Sequence, residues 1–258
     1  MITNEAEEIE TTSKSGCRIY FPDKTAKEDE DILIHEHFMD IEVNGITACK
    51  LSCTPEHLAE LVMGRLFTEG IIDGREDIKR LHICAKGRKA QVILSRDKEL
   101  IKELVTEPTC CAGNKQLVIP ARRREINKTA PAEVDEKAVF LLAERFREDT
   151  ALHSKTRGTH SCYLYLPDGN IEAFEDISRH NAMDKAVGHA MLNGVDLSEC
   201  MLYTTGRVPE DMVIKALFSG VKVLISKSVP TDAAVELSKK YGLRLVYSAW
   251  PDSFKIIG

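Results

Sequence analysis

Between residues 36 and 53 apolar positions alternate with polar ones. Phe38, Ile41 and Val43 precede Asn44-Gly45, and Ile46, Ala48 and Leu51 follow it. Alternation on both sides of Asn-Gly predicts an antiparallel hairpin. The period then changes. Leu58, Leu61, Val62 and Leu66 have helical spacing, with Thr54 as N-cap, Pro55 at the first helical position and Gly70 as the stop. Two short strands are predicted at 78–84 and 90–94, turned by Lys86-Gly87-Arg88. Upstream, residues 1–30 are polar and charge-rich. They predict an extension with order only around 17–21.

The segment 106–130 fits neither period. It holds turn formers, the adjacent pair Cys110-Cys111 and the cluster Arg122, Arg123 and Arg124. A stretch of this length without a period marks a functional loop or a domain boundary. The chain therefore divides into 1–30, a smaller subdomain rich in β hairpins over 31–130, and an α/β unit over 131–258. In that last unit, helices are predicted over 132–147, 180–192, 209–218 and 230–241. Gly220 and Gly242 close the last two. Strands are predicted at 163–166, 171–174, 201–204, 221–225 and 243–247. Strand and helix in alternation imply a mixed sheet with parallel pairs, covered by helices. The fold class is α/β within an α+β whole.

Sheets of this kind hold ligands beyond the carboxyl ends of their strands, where helix N-termini point. Three loops occupy such positions: Thr205-Gly206-Arg207, the run Ser226 to Thr231 with Ser228 in it, and the stretch after the last strand, Ser248, Ala249, Trp250, Pro251, Asp252 and Ser253. They supply hydroxyls, backbone N–H groups and cations, which suits a phosphate-bearing ligand. Taken one at a time, the same residues are ordinary helix caps.

Composition narrows the function classes. The 258 residues carry 35 Lys+Arg and 41 Asp+Glu, a net charge of −6. That balance speaks against a general nucleic-acid binder, and no apolar run is long enough to span a membrane. The acidic first ten residues lack the pattern of a signal peptide. A cytoplasmic setting follows, in which most of the eight Cys are expected as buried thiols. No Cys-x-x-Cys pair exists and no metal site is expected. A zinc deaminase would also need His-x-Glu, whereas the chain has His160-Ser161-Cys162.

The densest polar run is Glu175 to Gly188. His180, Asp184 and Gly188 are spaced to share one helix face, with Asn181 and Lys185 beside them and Arg179 at the helix start. Such a face is either solvated or built for an anionic ligand. His160 follows the turn at Gly158 and reads equally as a ligand contact or a core histidine. Cations near Cys110-Cys111 would favour a thiolate, and hence a nucleophile or sulfur carrier. Two buried thiols or a vicinal disulfide are the other readings.

The run Glu-Asp-Ile-Ser-Arg-His-Asn-Ala-Met-Asp-Lys-Ala-Val-Gly at 175–188 closely resembles the EDxGRHNAxDKxxG signature of the FdhD family, the sulfurtransferases that make formate dehydrogenase active. Further segments agree in order. Val43-Asn44-Gly45 resembles an N-terminal strand of the family, and residues 62–72 resemble its GFLxTEGII helix end. Thr156 to His160 resembles TGGxH, Thr205-Gly206-Arg207-Val208 resembles the start of SGRxSxEMxxKA, and Ser228 to Thr231 resembles SAPT. The resemblance implies a cytidine-deaminase-like domain with a smaller subdomain, and a homodimer. It implies a sulfur carrier that takes persulfide sulfur from an IscS-type cysteine desulfurase. The sulfur would pass to the molybdenum cofactor, bis-molybdopterin guanine dinucleotide, before that enters formate dehydrogenase. The persulfide cysteine would be Cys111, or Cys110 if the loop is aligned from its other side. The cofactor would be held by His160, Arg179, His180, Asn181, Asp184, Lys185, Gly206, Arg207, Ser228, Thr231 and the 248–253 stretch. The family's Cys-Gly-x-Cys-Gly loop is replaced by Thr109-Cys110-Cys111-Ala112-Gly113. That change leaves a second function open, a cofactor-binding chaperone that relays no sulfur.

Overall fold

The computed structural model describes residues 1–96, 98–106, 115–120, 124–148 and 150–257. Cys110, Cys111 and the pair Arg122-Arg123 lie outside the described residues. In chain order the first half runs β1 (Ile2–Asn4), β2 (Thr12–Tyr20), β3 (Ala26–Ile34), β4 (His37–Val43), β5 (Ile46–Cys53) and α1 (Leu58–Thr68). It continues through β6 (Ile78–Ile83), β7 (Lys89–Leu94), β8 (Leu100–Thr106) and β9 (Lys115–Pro120). Seven of these strands form one sheet, ordered β1-β6-β7-β4-β5-β9-β8. Strands β2 and β3 stand apart as a two-stranded ribbon. The inward residues of β4, Met39, Ile41 and Val43, pack with Leu61, Val62 and Leu66 of α1 in a buried core. That burial accounts for Ile41, Val43, Ala48 and Leu51 of the alternating pattern around Asn44-Gly45, whereas Phe38 and Ile46 are exposed and Met39 takes the inward place; Asn44 and Gly45 both take positive φ.

The second half runs α2 (Glu136–Arg147), α3 (Ala151–Thr156), β10 (His160–Tyr165), β11 (Ile171–Asp176), α4 (Arg179–Leu192) and β12 (Met201–Thr204). Then come α5 (Glu210–Ser219), β13 (Val223–Ser226), α6 (Asp232–Tyr241), β14 (Arg244–Trp250) and β15 (Ser253–Ile257). Its six strands order as β11-β10-β12-β13-β14-β15, with β12, β13 and β14 parallel and the flanking strands antiparallel. The sheet is mixed and carries helices on both faces. Leu202, Leu224 and Leu245 point to a core shared with α4, α5 and α6. Their sequence neighbours Tyr203, Ile225 and Val246 point to the other core, under α2. One-residue alternation thus feeds two cores from one sheet.

Several expectations change. The N-terminal residues are not a frayed extension: β1 pairs in parallel with β6, and residues 12–34 form the ribbon. The segment 106–130 contains a strand, β9, paired with β8 and β5. Helix α1 starts four residues later than its Thr54-Pro55 signal, after His57 at φ 53. The Thr54 side chain bonds Glu175 and Asp176 across the molecule instead, so a buried partner outcompetes a local cap. The residues after Trp250 turn back as β15 rather than trailing as a loop.

The two halves meet where α1 crosses α4. A Cβ at Gly64 would lie 1.8 Å from the carbonyl oxygen of Asp184, and one at Gly188 would lie 1.9 Å from that of Glu60. Only glycine at both positions lets the backbones touch. No helix among the described residues is long and apolar enough to cross a membrane.

Candidate functional site

The three loops selected from the sequence lie side by side and are stitched to one another. Thr205 N–H donates to the Ser161 carbonyl at 3.0 Å, and Ser161 N–H donates to Thr205 Oγ1 at 3.0 Å. Ser226 Oγ donates to the Gly206 carbonyl at 2.8 Å, and Ser228 N–H donates to Ser226 Oγ at 2.9 Å. Ser248 N–H donates to the Ser228 carbonyl at 3.0 Å. The parallel register of β12, β13 and β14 brings this about, because it sets Thr204 beside Ser226 and Ile225 beside Val246, so the loops after β12 and β13 meet the last residues of β14. The result is a ledge of backbone amides and hydroxyls at the carboxyl ends of the strands.

Cations border the ledge. Arg179 opens α4, and its side chain lies so close to Gly206 that a Cβ there would sit 2.7 Å from Arg179 Cδ. The glycine at 206 is therefore a space requirement. Lys227 Nζ lies 4.6 Å from the centre of the Phe146 ring, and the half-exposed Trp250 meets the same ring edge-on at 5.9 Å. Arg207 is exposed on the outer side. A small cavity of about 10 Å³, lined by Thr150, His153, Ser161, Thr205 and Lys227 among others, has room for roughly one water.

His160 shows the field of this cluster. Burial, then the charges of Arg179 and Lys227, push its imidazole down to about 4, so it is neutral near pH 7. It can exchange hydrogen bonds with a ligand there without competing for the negative charge. His180 is buried and lies 3.1 Å from Asp211 through Nε2. Close by, the Glu175 carboxylate accepts from Thr150 Oγ1 and Thr159 Oγ1 and from the backbone N–H groups of Leu152 and His153. It fixes the short helix α3 and the turn leading to His160.

The remaining residues of the polar run lie elsewhere. Asn181, Asp184 and Lys185 are fully buried beneath the ledge, at the seam between the halves. Lys185 Nζ lies 2.8 Å from Asp176 and donates to Thr54 Oγ1 at 2.6 Å. Asn181 Nδ2 donates to Asp176 at 2.9 Å and to the Ser52 carbonyl at 2.8 Å. Asp184 accepts from Thr68 Oγ1 at 2.7 Å and pairs with Lys215 at 3.1 Å, with Arg65 at 3.7 Å. Burial pushes the Asp184 carboxyl up, against the pull of Lys215 and Arg65. The expected polar helix face thus turns inward, toward α1. Gly188 belongs to the helix crossing and not to a ligand surface.

Thr231 caps α6, its Oγ1 accepting from Ala234 N–H at 3.3 Å, so the local reading accounts for it. Asp252 and Ser253 are exposed at the turn into β15, with Pro251 between them and Trp250. Thr205 and Lys227 belong to loops that the sequence selects and Glu175 opens its densest polar run, but none of them, nor Ser161, is among the individual residues it assigns to the site. Lys227 had a usable signal, as a cation inside a strand-to-helix loop. Glu175 stands in the polar run, but its contacts with Thr150, Leu152, His153 and Thr159, like those of Ser161, are set by packing that the sequence does not state.

Comparison with known proteins gives a consistent picture. The family model described as FdhD/NarQ family matches residues 34–257. Proteins named sulfur carrier protein FdhD are similar across most of their length. That of Geobacillus kaustophilus is 32% identical over 224 residues, covering 85% of each chain. That of Bacillus subtilis is 28% identical over 232 residues, covering 88% of each. Among solved structures, a candidate formate dehydrogenase accessory protein from Desulfotalea psychrophila superposes with a TM-score of 0.77. It is 21% identical and covers 96% of both chains, which shows a shared fold.

Proposed function

This chain belongs to the FdhD/NarQ family, and from that premise we propose that it is a sulfur carrier acting on the molybdenum cofactor. In this reading the Cys111 thiolate attacks the terminal sulfur of a persulfide on an IscS-type cysteine desulfurase. The donor's S–S bond breaks, the donor leaves as a thiolate, and Cys111 becomes the persulfide. The acceptor is bis-molybdopterin guanine dinucleotide, a substrate and not a resident group, bound for formate dehydrogenase.

The observation that carries this reading is the ledge itself. Three strand ends locked together by their own hydrogen bonds and bordered by Arg179, Lys227 and Arg207 form a cationic setting for phosphate oxygens. The neutral His160 adds a hydrogen-bonding group, and Trp250 an aromatic surface. Asn181, Asp184 and Lys185 serve this site by fixing the seam beneath it.

The test is intact mass spectrometry after incubation with a cysteine desulfurase and cysteine. We expect a gain of one sulfur that survives Cys110→Ala and is lost in Cys111→Ala. Loss with Cys110→Ala instead would keep the mechanism and move the nucleophile. No gain in any form, with a control carrier loading normally, would overturn sulfur relay. GDP binding that persisted without either thiol would then favour the chaperone reading, which the altered cysteine loop motivates.

A further inference from the structure

His153, on the short helix α3, lies in none of the motifs read from the sequence, yet the fold fixes it twice. Its backbone N–H donates to the Glu175 carboxylate at 2.8 Å, beside the Leu152 N–H at 2.9 Å, so a buried charge on β11 holds the first turn of the helix. The ring is held separately, with Nδ1 2.8 Å from the Thr159 carbonyl. A carbonyl oxygen only accepts, so Nδ1 carries the proton of that bond. In the neutral ring Nε2 is then an acceptor with a fixed direction. Among the described residues Thr159 is the ring's only hydrogen-bond partner. The side chain is half-buried, within reach of a ligand.

The ring faces the ledge. It lines the cavity of about 10 Å³ together with Ser161, Thr205, Lys227 and Phe146. Its charge is among those that hold His160 down, so the two histidines are neighbours. The cations of the ledge, Arg179, Lys227 and Arg207, can only donate hydrogen bonds. A phosphate oxygen, which accepts, satisfies all three. It does not satisfy His153, because a neutral Nε2 facing a phosphate oxygen sets lone pair against lone pair. The partner of His153 must carry an O–H or N–H. In a nucleotide that group lies on the nucleoside, as a ribose hydroxyl or a base N–H, and not on the phosphates. Phe146 gives the same end of the ledge an aromatic wall, with Lys227 Nζ 4.6 Å from its ring centre and Trp250 edge-on to it.

We propose that His153 is a specificity-determining residue of the ledge, its Nε2 accepting a hydrogen bond from the nucleoside part of a nucleoside diphosphate while the cations take the phosphates. The inference rests on the reading of the ledge as a phosphate site. It adds a distinction which that reading lacks, between a nucleotide and bare phosphate.

Isothermal titration calorimetry on the full chain tests it, comparing GDP with inorganic pyrophosphate at about pH 8, above the ordinary imidazole range. His153→Phe keeps an aromatic ring and removes the acceptor. It should weaken GDP binding about tenfold and leave pyrophosphate binding within about twofold. His153→Gln, whose amide oxygen reaches the place of Nε2, should keep GDP binding within about threefold of the wild type. Unchanged pyrophosphate binding shows in the same experiment that each variant keeps the ledge intact. If His153→Phe binds GDP as the wild type does, the inference falls and the phosphate reading stands. Equal loss of both ligands also overturns it, since a merely structural role weakens both. A wild type that binds neither ligand overturns the phosphate reading and the inference with it.

Discussion

A methyl group at Gly64 would sit 1.8 Å from the Asp184 carbonyl oxygen, a contact no rotamer change relieves because both partners are backbone. Gly64→Ala must push α1 off α4, and we expect a loss of about 3 kcal/mol in urea denaturation. Lys185 and Asp176 pose a different problem, since both are fully buried and 2.8 Å apart. Lys185→Met leaves an uncompensated carboxylate and should cost about 3–5 kcal/mol. Adding Asp176→Asn should recover part of that loss, so a double-mutant cycle will be far from additive. His160 gives a pH signature. Its imidazole is held down to about 4, whereas in the unfolded chain it titrates near 6.5. Protons therefore bind the unfolded state preferentially. The contribution of the neutral ring is full above pH 6.5 and is lost as pH falls from there toward 4. The pH dependence of the urea midpoint should flatten across that window in His160→Gln.

At the scale of elements, the parallel strands β12, β13 and β14 and their closing glycines were legible because their determinants are local. Apolar runs, Gly220 at φ 82 and Gly242 at φ 83 need only a few neighbouring residues. Strand β9 was not legible. Its backbone is satisfied by β5 and β8, and nothing within 106–130 states that. Helix α4 was legible as a helix but not in its surroundings, for both of its faces are covered. The connection between the halves has its own fastening at Arg124. The guanidinium lies 4.4 Å from the Phe67 ring centre and donates to the Phe218 carbonyl. Phe67 belongs to α1, and Phe218 to α5. Arg124→Ala should raise amide hydrogen exchange over 124–131 while leaving β12–β14 protected, and should cost about 1–2 kcal/mol.

For the whole molecule, the seam decides how the chain unfolds. Two sheets with separate cores could melt independently. Here the Asp176 and Asp184 clusters and the α1–α4 crossing span both halves, so opening one exposes buried charge in the other. We expect a single calorimetric transition that coincides with fluorescence from Trp250, the only tryptophan, which reports on the second sheet alone. Two resolved transitions would show that the seam does not couple the halves. The sequence by itself determined the elements with a local period, the strand-to-helix loops as the place for a ligand, and membership in a family through one long polar run. Tertiary structure decided what that run does. Arg179 borders the ledge, His180 is buried against Asp211, and Asn181, Asp184 and Lys185 lie at the seam between the halves. The physical reason is that a charged side chain reads the same in a sequence whether water or a buried counter-charge satisfies it. Only the packing of α1 against α4 shows which one does.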